Sequence, residues 1–125
     1  MNSPYSELKI LIVDDSQSMV MLIEQLLCNC NVEKISSVGS IKKAREILSS
    51  GAQFDGIILD LILEDGCGLE LAKEFNNIPV VFCSTTQDDH NSNLMYHLGR
   101  KINKPVTLAS IYRCVDYFFT LRGKK

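Results

Sequence analysis

The chain has 125 residues and a formal net charge of −2, with 46% hydrophobic and 22% charged residues. A chain of this length and composition is typical of one globular domain, here residues 1–125, which buries a core without metal or disulfide staples. The slightly acidic balance argues against nucleic acid as a direct partner, because phosphate backbones select basic surfaces. No apolar stretch approaches the roughly 20 residues that span a bilayer, so we expect no membrane insertion.

The cysteines and the N-terminus indicate the compartment. Five cysteines are an odd number, and they show no disulfide-like spacing. Cys28 and Cys30 lack a second pair of ligands that would complete a zinc site. The first residues do not have the basic-then-apolar order of a secretory signal. We therefore expect reduced cysteines that serve as small apolar side chains, and a cytoplasmic location.

Strand-like and helix-like segments alternate along the whole chain. In chain order, hydrophobic periodicity and capping residues predict a strand over 8–13, a helix from 16, a strand over 32–38, a helix over 40–50, a strand over 54–59, a short helix over 69–75, a strand over 79–83, a short polar helix over 88–98, a strand over 100–103 and a helix over 108–121. Short, continuously apolar strands that alternate with amphipathic segments predict an α/β fold. Its five-stranded parallel sheet would carry helices on both faces.

Polar residues cluster where the predicted strands end. Four strands deliver them to the same edge of the sheet: Asp14 and Asp15, Asp60, Ser84 and Thr85, and Lys104 followed by Pro105. Open parallel sheets bind ligands at this carboxyl edge. Two carboxylates 4 Å apart repel each other by about 4 kcal/mol at an effective dielectric constant of 20. A hard cation such as Mg²⁺, together with Lys104, would offset this repulsion.

Such an edge suits transfer of a phosphoryl group to a carboxylate. Asp60 is the best candidate nucleophile because it stands alone at the middle of the edge. Asp14 and Asp15 are adjacent, so their side chains diverge and suit metal and water binding better. A cation, an ammonium group and a hydroxyl would then stabilise the phosphoryl oxygens.

Several segments together resemble the receiver (CheY-like) family of response regulators over nearly the whole chain. They are Leu11-Ile12-Val13-Asp14-Asp15-Ser16, the run from Asp60 to Leu69, Ser84, and Lys104-Pro105. The resemblance implies a flavodoxin-like, doubly wound (βα)₅ fold and a cis peptide bond before Pro105. It also implies these roles: Asp60 as phosphoacceptor; Asp15, Asp60 and the Ile62 carbonyl as Mg²⁺ ligands; Asp14 as a ligand through water; Ser84 as the switch hydroxyl; Lys104 as the phosphoryl partner.

The resemblance further implies a phosphorelay partner, either a histidine kinase or a histidine phosphotransfer domain, and a downstream protein effector. Such donors dock beside the acidic cluster near the first helix. Met19, Val20 and Met21 offer more apolar side chains than one buried stripe requires, so one or two of them are candidates for the docking surface. The sequence contains no output domain, so output would pass through a partner, unless the chain is part of a larger protein. Ile62 and Thr86 occupy positions that tune hydrolysis in the family, and an apolar side chain at 62 predicts a long-lived phosphoryl group.

The sequence departs from the family pattern in the output half. Lys101 stands where an aromatic residue is usual, and the segment from Ser84 to Lys104 is about two residues short. Glu64 replaces a common proline, and Val106 replaces a common phenylalanine. We therefore expect the signal to be carried by reordering of residues 85–103 and not by rotation of an aromatic ring.

Three other functions were weighed against this hypothesis. A haloacid-dehalogenase-type hydrolase needs a second aspartate where the chain has Ile62, so turnover of an external substrate is not expected. A dinucleotide or flavin module would need a glycine-rich phosphate loop after the first strand, and there is none. The third alternative is a pseudo-receiver, which keeps the fold as a protein–protein interaction module without being phosphorylated. Asp15 or Ser16 acting only as a helix cap explains one acid but not the others.

Overall fold

The computed structural model describes residues 4–84 and 98–123. Seven strands occur in this part of the chain: β1 (Lys9–Val13), β2 (Lys34–Val38), β3 (Gly56–Asp60), β4 (Ile62–Leu63), β5 (Gly66–Cys67), β6 (Val80–Ser84) and β7 (Arg100–Asn103). Four helices accompany them: α1 (Gln17–Asn29), α2 (Ile41–Ser49), α3 (Gly68–Glu74) and α4 (Leu108–Arg122). Residues 85–97, which contain most of the predicted helix over 88–98 as well as Thr85 and Thr86, lie outside the described ranges.

Five strands form one sheet in the order β2-β1-β3-β6-β7, and every neighbouring pair is parallel. This order reverses direction between β1 and β3, which makes the sheet doubly wound. The predicted α/β architecture is therefore confirmed. The other two strands, β4 and β5, have two residues each and form an antiparallel hairpin. This hairpin was not predicted; it lies between the predicted strand over 54–59 and the predicted helix over 69–75.

The strands bury both faces of the sheet. Ile10 and Ile12 of β1 face a cluster that includes Ile23 of α1 and Ile111 of α4. The alternate side chains of β1, with Leu11 among them, face a second cluster that includes residues of α2 and α3. Helices thus cover both faces, as the continuously apolar strands predict.

Helix starts follow the capping residues in the sequence. The hydroxyl groups of Ser16, Ser40 and Thr107 each accept a hydrogen bond from a backbone N–H in the first turn of α1, α2 and α4, respectively. These bonds satisfy donors that have no partner within the helix.

Among the described residues, no helix combines the length and the apolar character that a membrane-spanning segment needs.

The apolar stripe predicted on the last helix is only partly buried. Val115 and Phe118 are fully buried, whereas Tyr112 and Phe119 are 53% and 38% exposed. Both exposed rings make edge contacts with Tyr5, with ring centroids 5.8 Å and 5.5 Å apart. Tyr5 therefore covers part of the side of α4 that carries these two rings.

Candidate functional site

Neighbouring central strands bring the acidic residues together. Val13 of β1 pairs with Leu59 of β3, so Asp14 and Asp60 follow at the same level of the sheet. Carboxylate oxygens of Asp14, Asp15 and Asp60 lie within 4.8 Å of one another. The three acids predicted from the sequence therefore form one cluster at the point where the strand order reverses.

The three carboxylates differ in their environment. Asp14 and Asp60 are 3% and 9% exposed, whereas Asp15 is exposed to solvent. Asp14 Oδ1 accepts a hydrogen bond of 2.8 Å from the backbone N–H of Ser16. Burial raises the pKa of Asp14, and the nearby Asp60 carboxylate adds to this increase, while the hydrogen bond from Ser16 opposes it. The cluster therefore holds negative charge at a cost that a cation would relieve.

Lys104 supplies positive charge on the other side of the cluster. Its Nζ lies 3.4 Å from Asp60 Oδ1 and 3.8 Å from Asp14 Oδ2. The backbone N–H of Lys104 donates to the carbonyl of Ser84 at 2.9 Å, which links the ends of β6 and β7. The peptide bond between Lys104 and Pro105 is cis, as the resemblance implies.

Ser84 lies beside the acceptor strand. Asp60 pairs with Cys83 across β3 and β6, so Ser84 comes one residue further along the same edge. The Ser84 side chain is buried, and its Oγ has no hydrogen-bond partner among the described residues. Buried hydroxyl groups are normally hydrogen-bonded, so this oxygen is ready to donate to a bound group.

The hairpin after Asp60 forms the remaining wall of the cluster. The Ile62 side chain is 69% exposed, and its backbone N–H lies 3.4 Å from Asp60 Oδ1. The backbone N–H of Glu64 donates to Asp15 Oδ2 at 3.0 Å. The Asp65 carboxylate accepts hydrogen bonds from the N–H groups of Ile41 and Lys42, both at 3.0 Å. These bonds lower the pKa of Asp65 and fasten the hairpin to the start of α2.

Sequence reasoning missed the contacts of Glu64 and Asp65. A backbone N–H is common to nearly all residue types, so no pattern distinguishes the one at position 64. The sequence indicates a glycine-containing loop over 64–68, but it does not indicate that Asp65 would meet the first residues of α2. Only the folded chain brings residues 24 positions apart into this contact.

Two of the residues that depart from the family pattern lie on β7 or shortly after it. Lys101 is half-buried on β7, and Val106 is buried in the cluster of hydrophobic residues beneath α4.

All five cysteines are free, and Cys83 is buried next to the acidic cluster, where burial raises its thiol pKa to about 12. The prediction of reduced cysteines is consistent with these positions.

The donor set fits a hard divalent cation. Carboxylate oxygens are the ligands that Mg²⁺ prefers, and one or two carboxylates with waters are a usual set. Asp14 Oδ2 is buried without a hydrogen-bond partner in the described part of the chain, although Lys104 lies nearby. An unpartnered buried oxygen beside two further carboxylates is the arrangement that a cation or its bound water would complete.

Comparison with known proteins agrees with this geometry. The chain matches the family model for the response regulator receiver domain over residues 10–116. It therefore belongs to the response regulator receiver family of two-component signalling. No curated protein gives a significant sequence match.

Solved structures share the fold over nearly the whole chain. A two-component response regulator from Clostridium difficile is 24% identical with a TM-score of 0.80, over 91% of this chain and 97% of that one. A response regulator receiver protein from Sinorhizobium medicae is 25% identical with a TM-score of 0.80, over 92% and 96%. The chemotaxis response regulator CheY4 of Vibrio cholerae is 19% identical with a TM-score of 0.76, over 89% and 98%. The flavodoxin-like fold predicted for the chain is thus confirmed.

Proposed function

We propose that residues 1–125 act as one phosphoacceptor domain in a two-component phosphorelay, with Asp60 as the residue that takes the phosphoryl group. The observation that carries the proposal is the position of Asp60 within the acidic cluster, with the Lys104 ammonium group 3.4 Å from its Oδ1. A buried carboxylate that lies beside both a cation and two further acids can act both as nucleophile and as metal ligand.

The proposed reaction is an exchange of one phosphorus bond for another. A carboxylate oxygen of Asp60 attacks the phosphorus of a phosphohistidine and forms an acyl phosphate. The phosphorus–nitrogen bond breaks, and its electron pair stays on the imidazole nitrogen of the donor. Lys104 and the unpartnered hydroxyl of Ser84 bind the phosphoryl oxygens, the roles that the family resemblance implies for them.

Asp15, Asp60 and the Ile62 carbonyl would hold Mg²⁺ directly, and Asp14 would hold it through water. When bound, the ion supplies positive charge that offsets both the clustered carboxylates and the phosphoryl oxygens. Asp14 Oδ1 accepts a hydrogen bond from the N–H of Ser16, and Asp14 Oδ2 lies near Lys104. The chain is in this view an acceptor with slow self-dephosphorylation and not an enzyme for an external substrate.

Phosphorylation would change partner binding through the groups that contact the phosphoryl oxygens. Moving a two-state equilibrium from 1:99 to 99:1 takes about 5.5 kcal/mol. Hydrogen bonds to a charged group from Ser84 and Lys104 contribute roughly 1.5–3 kcal/mol each, which is of the required size. We propose that reordering of residues 85–103, most of which lie outside the described ranges, carries the signal to a downstream protein effector. Amide exchange over this segment that stays the same after beryllofluoride binding would contradict that part of the proposal.

The acceptor role is tested by intact-mass analysis after incubation with Mg²⁺ and acetyl phosphate. Wild type and the control Glu46→Gln, which removes an exposed acid on α2, should each gain one phosphoryl group. Asp60→Asn should gain none, and chelation of Mg²⁺ should abolish the adduct in all samples. A wild-type chain that binds Mg²⁺ but gains no adduct would favour the pseudo-receiver, a constitutive protein-binding module.

The donor, a histidine kinase or histidine phosphotransfer domain, is proposed to dock on the outer face of α1. Met21 is 63% exposed there, whereas Met19 and Val20 are half-buried against the core. Met21→Ala should slow phosphotransfer from a donor protein and leave phosphorylation by acetyl phosphate unchanged. Leu108→Ala, which removes an exposed apolar side chain on α4, is the control. Equal loss in both assays for Met21→Ala would exclude the docking role.

A further inference from the structure

A single backbone group holds the exposed acid of the cluster. The N–H of Glu64 donates to Asp15 Oδ2 at 3.0 Å, across 49 residues of sequence. Among the described residues it is the one hydrogen-bond donor to the Asp15 carboxylate. Asp14 and Asp60, in contrast, are buried and contact Lys104.

Asp15 needs such a restraint more than its neighbours do. Its side chain is exposed, and carboxylate oxygens of two other acids lie within 4.8 Å. Like charges at this distance repel each other, so a free Asp15 would rotate toward solvent. A hydrogen bond from an N–H to an ionised carboxylate is stronger than one between neutral groups, and it opposes that rotation.

The turn that carries this N–H is fixed on two sides. The Asp65 carboxylate binds the N–H groups of Ile41 and Lys42 at the start of α2, both at 3.0 Å. The antiparallel pairing of β4 with β5 closes the hairpin around residues 64 and 65. The Glu64 N–H is therefore a rigid donor, since the residue that follows it is anchored to a helix.

We propose that Glu64 is a positioning residue whose backbone N–H holds Asp15 in place for the divalent cation; this inference rests on the proposed metal-dependent function. Position 64 then acts through the presence of an N–H and not through its exposed carboxylate. Proline alone among the residue types lacks this donor. It is also the residue common in the family at this place, so the chain's departure adds a hydrogen bond that proline cannot make.

The backbone around position 64 is suited to a proline test. Leu63 lies in an extended strand, the conformation that a following proline requires. Asn31 is the one non-glycine residue with positive φ in the described part of the chain, so the φ of Glu64 is negative. Proline at 64 therefore removes the donor without requiring a left-handed backbone.

The test compares Mg²⁺ affinity by isothermal titration calorimetry in wild type, Glu64→Ala, Glu64→Gln and Glu64→Pro. The alanine and glutamine variants keep the N–H and measure the effect of losing the charge. We expect Glu64→Pro to bind Mg²⁺ about threefold to tenfold more weakly than Glu64→Ala, the size of one lost hydrogen bond at a partly exposed site. In an Asp15→Ala background the proline and alanine variants should bind equally, because the acceptor is gone.

Thermal unfolding in EDTA shows whether Glu64→Pro and Glu64→Ala have the same Tm. If they do, the difference in Mg²⁺ affinity between them reflects the position of Asp15 and not a general loss of stability. If Glu64→Pro does not fold, hydrogen exchange of the Glu64 amide tests the contact with Asp15 without the proline variant. That amide should be protected in wild type and should lose protection in Asp15→Ala. Equal exchange in the two proteins, or equal affinities of Glu64→Pro and Glu64→Ala, would overturn the positioning role. Wild type without Mg²⁺ binding would instead contradict the proposed metal site itself.

Discussion

The Lys104 ammonium group lies between two buried carboxylates, 3.4 Å from Asp60 Oδ1 and 3.8 Å from Asp14 Oδ2. Both carboxylates end or follow central strands, whereas Lys104 follows the edge strand β7. The positive charge of Lys104 thus offsets the repulsion between the two carboxylates when no metal is bound.

We expect Lys104→Ala to lower the free energy of unfolding in EDTA by about 1–3 kcal/mol, because it leaves buried carboxylate oxygens without their partner. Mg²⁺ should restore part of this loss. Lys101→Ala removes a lysine on β7 that is in no ion pair that the structure describes, and it serves as the control. Urea unfolding with and without Mg²⁺ measures both effects. Equal stability of the two variants in EDTA would contradict the role of Lys104.

Mg²⁺ should stabilise the folded chain, because a ligand that binds the native state alone raises its stability. At a concentration 100 times the Kd, the gain is about 2.7 kcal/mol. Asp15→Asn should lose most of this gain, whereas Glu46→Gln, far from the cluster on α2, should keep it. Thermal unfolding across a Mg²⁺ titration provides the measurement. An unchanged Tm of the wild type at millimolar Mg²⁺ would speak against the metal site.

The Ile62 side chain is 69% exposed next to Asp60, where it can obstruct a water that approaches the acyl phosphate. Ile62→Ala should therefore shorten the half-life of the phosphoryl group by about twofold to tenfold, which corresponds to roughly 0.4–1.4 kcal/mol in the barrier. Leu108→Ala is a control for loss of an exposed apolar side chain elsewhere. The decay of the adduct is followed by mass after the donor is removed. A half-life that stays the same or lengthens would disprove the obstruction.

The buried thiol groups predict that the free energy of unfolding is lower at alkaline pH. Burial raises the pKa of Cys83 to about 12 and raises the pKa of Cys114 well above its usual value. A thiol in the unfolded chain titrates near about 8.5, so between these values the folded state binds more protons. The free energy of unfolding therefore falls as pH rises above about 8.5, by at most about 1.4 kcal/mol per pH unit for each thiol.

This pH dependence is measured by urea unfolding between pH 7.5 and pH 10 under reducing conditions. The double variant Cys83→Ala/Cys114→Ala should show a shallower decline than wild type. Cys28→Ala, which removes an exposed thiol, should retain the wild-type decline. A decline that is the same in all three proteins would assign it to other groups.

Gly68 is required by close packing behind the acceptor. A Cβ atom at this position would lie 2.4 Å from the backbone oxygen of Asp60. Gly68→Ala should therefore destabilise the chain by about 1–3 kcal/mol and weaken phosphorylation, since the backbone of Asp60 must move. Gly39→Ala is the matched control, because its Cβ would have no contact closer than 3.9 Å. Similar stability of the two variants in urea would contradict this requirement.

Much of the fold could be predicted because its signals are local. Apolar runs end at Val13 and Leu59, and hydroxyl residues such as Ser16 and Ser40 mark the starts of helices within one turn. The strand over 100–103 has the predicted limits, and the five-stranded sheet follows from the alternation of strands and helices. The hairpin of β4 and β5 could not be predicted, since two-residue strands leave no periodicity to detect.

For the candidate site, local sequence patterns predict which side chains reach the carboxyl edge, because they set where strands end. Asp14, Asp15, Asp60, Lys104 and the pair Ser84 and Thr85 follow from this, whereas the choice of Ser84 over Thr85 comes from the family resemblance. Only the folded chain shows that Glu64 donates to Asp15 and that Asp65 binds the start of α2. These contacts join backbone groups to residues far away in the chain. Backbone N–H groups are alike along the sequence, so their partners become specific only when the strands and helices have packed.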